Sequence, residues 1–182
     1  MMKHKQNQYG FTLVELLVSL VIFGVLVGAG VPKMVDFLDS MSARSTSGQL
    51  LNSLNYSRGQ AVARVENVTI CAGVNCPNGA SWDSGWTVFV DFNGDGLITA
   101  GGGGLAADEV LRVHDNTANV TTVRGAAGVT RITYNSLGEN QTPGAAVSFR
   151  ICAENNDTAA ARTINVTNIG TGTSTYGAVS CP

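Results

Sequence analysis

Asp91-Phe92-Asn93-Gly94-Asp95-Gly96 places three oxygen-bearing side chains at alternate positions and closes with a glycine. That is how an EF-hand calcium loop opens. Such a loop takes a bidentate carboxylate at its twelfth position, here Gly102, so Asp108 or Glu109 would have to supply it from a longer loop. The same residue types suit a polar turn after a strand. Asp91, Asn93 and Asp95 are therefore the calcium candidate, but no metal or other cofactor is expected. Catalytic constellations are poorer still. His114, beside Asp115, has no second histidine downstream of residue 10 and no marked serine for a triad. Cys71, Cys76, Cys152 and Cys181 are even in number and all follow an apolar run, which favours disulfides over reactive thiolates. Three connectivities are open. Cheap closure of a short loop favours Cys71–Cys76 with Cys152–Cys181. A four-cysteine zinc site usually uses two close pairs, which the distance from Cys152 to Cys181 does not supply. No enzyme is expected.

The remaining chemically pointed residue is Glu15. From Phe11 to Val31 the chain reads FTLVELLVSLVIFGVLVGAGV, and Glu15 is its only ionisable side chain. About 20 apolar helical residues cross a bilayer core. A carboxylate at such depth is costly, so it usually has a partner or a function. Residues 1–8, MMKHKQNQ, are polar and basic. Lys3 and Lys5 would hold this end in the cytoplasm and leave the C-terminal part outside. A secretory signal places its small residue after the apolar run; here Gly10 precedes it.

Gly10-Phe11-Thr12-Leu13-Val14-Glu15 resembles the prepilin motif of type IV pilins and type II secretion pseudopilins. The resemblance implies that a prepilin peptidase removes residues 1–10, cutting after Gly10, and methylates the new N-terminus at Phe11. Glu15 would then be fifth in the mature chain. Cleavage leaves a cationic amine at Phe11, which the Glu15 carboxylate can compensate in its own chain or in a neighbouring subunit. Desolvating both charges is itself costly, so Glu15 reads as a register device for helix stacking more than as a stabiliser.

Around these residues the period of the sequence sets the elements. Pro32 should bend the helix, and Gly24, Gly28 and Gly30 loosen the same region or allow close packing. Val35, Leu38, Met41, Leu50, Leu54, Ala61, Val62 and Val65 then recur at three- and four-residue intervals. Residues 11–65 thus read as one interrupted helix: 11–31 is the membrane or filament-core half, and 32–65 the amphipathic half. Across 66–182 the period becomes two. Strands are expected at 68–71, 86–92, 109–114, 120–124, 130–135, 146–152, 163–168 and 176–181. The fold class is α+β, type IV pilin-like, with a long N-terminal helix packed on a C-terminal antiparallel sheet domain, possibly two small sheets. Trp82 and Trp86 are expected in the core with their indole N–H groups paired. The glycines at 101–104 form a loop without the helix-opening context of a phosphate site.

Within the pilin family the segments Leu50–Leu54, Arg58–Arg64, Val68–Cys71, Trp82–Asp91 and Asp108–Arg112 resemble the FimT/GspH group, nearest to FimU-like minor pilins. That resemblance implies a minor pilin that starts assembly and sits at the filament tip. Its partners would be other minor pilins, the major pilin, the prepilin peptidase and the inner-membrane assembly platform. The chain would sit in a bacterial inner membrane with its C-terminal domain periplasmic, then on the pilus. A type II secretion pseudopilin and a DNA-uptake pilin are the alternatives. Some members of the group capture DNA through a C-terminal Gly-Arg-x-Arg segment, but Gly170-Thr171-Gly172-Thr173 stands at the corresponding place. Residues 163–182 contain no Lys or Arg, and the whole chain has 11 basic against 13 acidic residues. Nucleic acid is not an expected partner. Arg124, Arg131, Arg150 and Arg162 are expected to be scattered, solvated surface residues.

Overall fold

The computed structural model describes residues 10–101, 106–115, 121–125, 128–142, 146–153, 158, 160–177 and 180–181. Residues 1–9 of the expected leader, Val120, and the glycines at 102–104 lie outside them. One helix, α1, spans Leu13–Arg64, and the chain divides into two compact units between Phe37 and Leu38. In the first unit, Leu13–Val31 is long and apolar enough to cross a membrane, and every side chain in it is exposed. The backbone stays helical through position 32, so the proline does not end the helix.

The second unit combines the rest of α1 with two four-stranded antiparallel sheets. One has the order β3-β2-β1-β5, built from β1 (Val68–Ala72), β2 (Gly85–Val90), β3 (Glu109–Asp115) and β5 (Arg131–Tyr134). The other runs β4-β6-β7-β8, from β4 (Thr121–Gly125), β6 (Val147–Ala153), β7 (Arg162–Val166) and β8 (Gly172–Tyr176). β1 and β2 are buried along their whole length, so both faces of these central strands are covered. β7 and the first half of β6 alternate in the pattern of half-buried strands, while Ile151, Cys152 and Ala153 at the end of β6 are all buried. The larger of two apolar clusters among the described residues joins the sheets to the helix through Leu50, Leu54, Ile70, Trp86, Tyr134, Phe149 and Ile164. Truncating one of its large side chains, such as Leu54→Ala, costs about 2–5 kcal/mol.

Two sequence expectations fail here. Leu38, Met41, Val62 and Val65 are exposed, although they fit the apolar stripe. Leu50, Leu54 and Ala61 of that stripe are buried, and the rest of the buried face of α1 is Ala43, Thr46, Ser47, Ser53 and Ser57. Small side chains bring the helix close to the strands, and their polar atoms find local partners. Ser57 Oγ donates to the Ser53 carbonyl at 2.7 Å, and the Ser47 and Ser174 hydroxyls are 3.1 Å apart. A stripe of small hydroxyl residues does not register in an apolar period. The last strand is also earlier than expected. β8 pairs along β7 from Arg162↔Tyr176 to Val166↔Gly172, and Gly177, at φ +79°, turns the chain away just where the expected strand was to begin.

Candidate functional site

At the start of α1 the residues of the prepilin motif gather on one turn. Gly10, Phe11 and Thr12 precede the helix, and Glu15 lies in its first turn. The Glu15 N–H donates to Thr12 Oγ1 at 3.2 Å, which caps one of the helix's unpaired amides. Thr12 and Glu15 have the Thr-x-x-Glu spacing of a capping box. That spacing was visible in the sequence, and the resemblance to a processing motif hid it. A carboxylate in a first turn also faces the positive end of the helix dipole. Ser19 Oγ donates to the Glu15 carbonyl at 2.7 Å. Phe11 is 81% exposed in this unit.

The oxygens of the calcium candidate come together, but they mostly accept from backbone amides. Asp91 is buried. Its Oδ1 accepts from the Gly94 N–H at 2.8 Å, and its Oδ2 accepts from the Gly96 N–H and from Thr69 Oγ1, both at 2.9 Å. Asn93 Oδ1 accepts from the Asp95 N–H, and Asp95 Oδ1 from the Leu97 N–H. Asp108 closes the loop by accepting from the amides of Phe92 and Thr99. Gly94 and Gly96 take φ values of +72° and +73°. The group serves as a turn, and among the described residues no cluster of His, Cys, Asp or Glu has the makings of a metal site.

Cys71 is joined to Cys76, and Cys152 to Cys181, with Cα separations of 5.4 and 5.8 Å. His114 stacks on Trp86 with ring centroids 4.1 Å apart, and burial lowers its pKa below the ordinary 6.5 against the opposing charge of Asp115. Trp82 and Trp86 are both core residues. Trp82 Nε1 donates to the Val129 carbonyl at 2.8 Å, while Trp86 Nε1 has no partner among the described residues, contrary to expectation. Burial pushes the Tyr134 phenol well above its usual range, with Arg58 opposing.

The four arginines are not alike. Arg124 pairs with Asp83 at 3.0 Å, Arg131 donates to the carbonyls of Asp95 and Gly96, and Arg150 binds Ser180. Arg162 departs most from a solvated surface residue. It is only 7% exposed, because it shares the inward face of β7 with Ile164 and Val166 and Tyr176 of β8 lies over its guanidinium.

A model of the family described as "Type II transport protein GspH" matches residues 46–170, and one described as "Prokaryotic N-terminal methylation motif" matches residues 5–31. This chain belongs to the GspH family. The GspH-family proteins are structural pilins and pseudopilins, not enzymes. Two crystal forms of the type IV minor pilin FimU from Pseudomonas aeruginosa share its fold at 22% identity, with TM-scores of 0.60 and 0.57. The likeness covers 80% and 76% of this chain and 99% of FimU in each case. The minor pseudopilin EpsH of the Type 2 Secretion System of Vibrio cholerae is similar at 10% identity and a TM-score of 0.48, over 74% of this chain and 96% of EpsH. No curated protein matches the chain. The long helix with antiparallel sheets is thus the type IV pilin-like fold.

Proposed function

We propose that this protein is a minor pilin of a type IV pilus, acting in the complex of minor pilins that initiates assembly and sits at the filament tip. The observation that carries this reading is the union of two parts on one chain. A methylation motif with Glu15 at the helix start leads into an exposed apolar helix, and a GspH-family domain follows. Leader removal after Gly10, methylation at Phe11 and a bend at Pro32 belong to the same proposal. So does insertion in the inner membrane with the domain outside. The fold shared with FimU supports the pilus. The description of the matching family favours, as a second reading, a pseudopilin of type II secretion.

Deleting the gene in its host and counting surface filaments tests the choice. A sharp loss, restored by the wild-type gene, is expected. Unchanged filaments together with loss of secreted proteins would replace the pilus reading by the secretion one.

A further inference from the structure

Between α1 and β8 lies a cleft of about 360 Å³ lined by Arg44, Ser47, Arg162, Ser174, Thr175 and Tyr176. Two arginines and the hydroxyl residues Ser47, Ser174 and Tyr176 line it, with no acidic side chain among the described lining residues, while Thr175 Oγ1 donates to the Thr163 carbonyl. Arg162 is nine-tenths buried there, with its guanidinium carbon 3.3 Å from the centre of the Tyr176 ring. Its Nη1 has no hydrogen-bond partner among the described residues. Arg64 and Arg124 each hold a carboxylate; neither Arg162 nor Arg44 has one within ion-pair distance among the described residues. A buried guanidinium without a counter-charge is strongly disfavoured, so one that has no carboxylate among the described residues and lies in a cleft favours an anion there.

We propose that this cleft binds a carboxylate, presented by an Asp or Glu side chain of a neighbouring protein subunit. Arg162 is the buried anchor and Arg44 the outer cation. A guanidinium presents a flat row of N–H donors that matches the two oxygens of a carboxylate. Ser47 and Ser174 are hydrogen-bonded to each other, which uses one hydroxyl proton and leaves the other to donate to the ligand. Tyr176 is 77% exposed, so its ring can swing off Arg162 and uncover the guanidinium. The hydrogen bond from Arg162 and its charge, with a smaller share from Arg44, lower the Tyr176 pKa below 10, so both cations act at one point. A nucleic-acid backbone is the weaker fit. Only two cations converge here, residues 163–182 hold none, and the chain is net acidic at −2, so no row of charges tracks a polyanion.

Only the source of the carboxylate rests on the subunit reading; the site itself belongs to the isolated chain. Detergent-solubilised full-length protein would be titrated with sodium acetate, and with sodium chloride at matched ionic strength. The readouts are the arginine side-chain Nε–H NMR signals of Arg44 and Arg162 and the ultraviolet titration of Tyr176. Acetate is expected to move Arg162 saturably where chloride does not, and to raise the Tyr176 pKa. Arg162→Gln endangers the fold, so the exposed Arg44→Gln carries the test, weakening acetate about threefold or more. Equal responses to acetate and chloride would overturn the site. Saturation by sodium phosphate but not by acetate would overturn the carboxylate assignment. Normal entry into filaments of an Arg44→Gln chain that no longer binds acetate would remove the subunit as the source, while the filament count after gene deletion judges the pilus reading separately.

Discussion

Gly170 shows how a residue can have a physical reason that its motif context conceals. In the sequence it heads the segment aligned with a DNA-capture motif. In the structure it is buried at φ +79°, and a Cβ there would run into the Gly138 carbonyl and the Arg58 side chain. Arg58 Nε donates to that carbonyl at 3.0 Å, so α1 and the loops after β5 and β7 meet at this point. Gly128 has a similar φ of +81° but open space around its Cβ. Gly128→Ala should therefore lose only backbone strain, about 1 kcal/mol, and Gly170→Ala about 2–4 kcal/mol once the clash is added. Urea unfolding of the two variants measures the difference. His114 gives a pH signature. Its folded pKa is depressed by burial, so the unfolded chain binds its proton more tightly. Its contribution is complete above 6.5 and is lost as pH falls through the folded value. Unfolding free energy should drop from about pH 7.5 to about pH 5 more in the wild type than in His114→Phe, which keeps the stack on Trp86.

At the scale of elements, what the sequence made legible follows from which signals are periodic. Seven of the eight strands fall where β-branched and aromatic residues sit between turn residues, because a strand buried on at least one face needs those types. The last strand was misplaced because Gly172-Thr173-Ser174-Thr175-Tyr176 is polar and mostly exposed, with no apolar alternation to betray it. The buried face of α1 was half misread for the related reason that Ser47, Ser53 and Ser57 pack by size rather than by hydropathy. Arg162 was likewise taken for a surface residue, because nothing local announces that Tyr176 of another strand covers it. The disulfides differ in what they constrain. Cys152 and Cys181 are 29 residues apart in sequence, Cys71 and Cys76 only 5. Closure entropy gives about 3.5 kcal/mol for the long loop and about 2 kcal/mol for the short one. The Cys152→Ala/Cys181→Ala pair should lower the urea midpoint more than Cys71→Ala/Cys76→Ala, and the reverse order would put the short bridge's value in packing beside Phe89.

Across the whole molecule the two units answer to different solvents, and Glu15 is where they can be separated experimentally. The apolar residues of Leu13–Val31 have no cover of their own, while the domain from Leu38 onward closes its core without them. A change at Glu15 should therefore leave the urea midpoint of the domain unaltered and act on assembly. Two roles compete for the carboxylate: compensating the amine that the proposed cleavage would leave at Phe11, which needs its charge, and accepting from the Thr12 N–H as the Thr-x-x-Glu spacing allows, which needs only an acceptor. Glu15→Val removes both; Glu15→Gln keeps the acceptor and removes the charge. If charge compensation sets the register of stacked helices, both variants are processed at Gly10 and both fail to enter filaments, measured as the pilus-bound fraction against the membrane pool. If Glu15→Gln enters filaments normally while Glu15→Val does not, the cap is the function of Glu15. The amine that the proposed cleavage leaves at Phe11 would then find its counter-charge elsewhere.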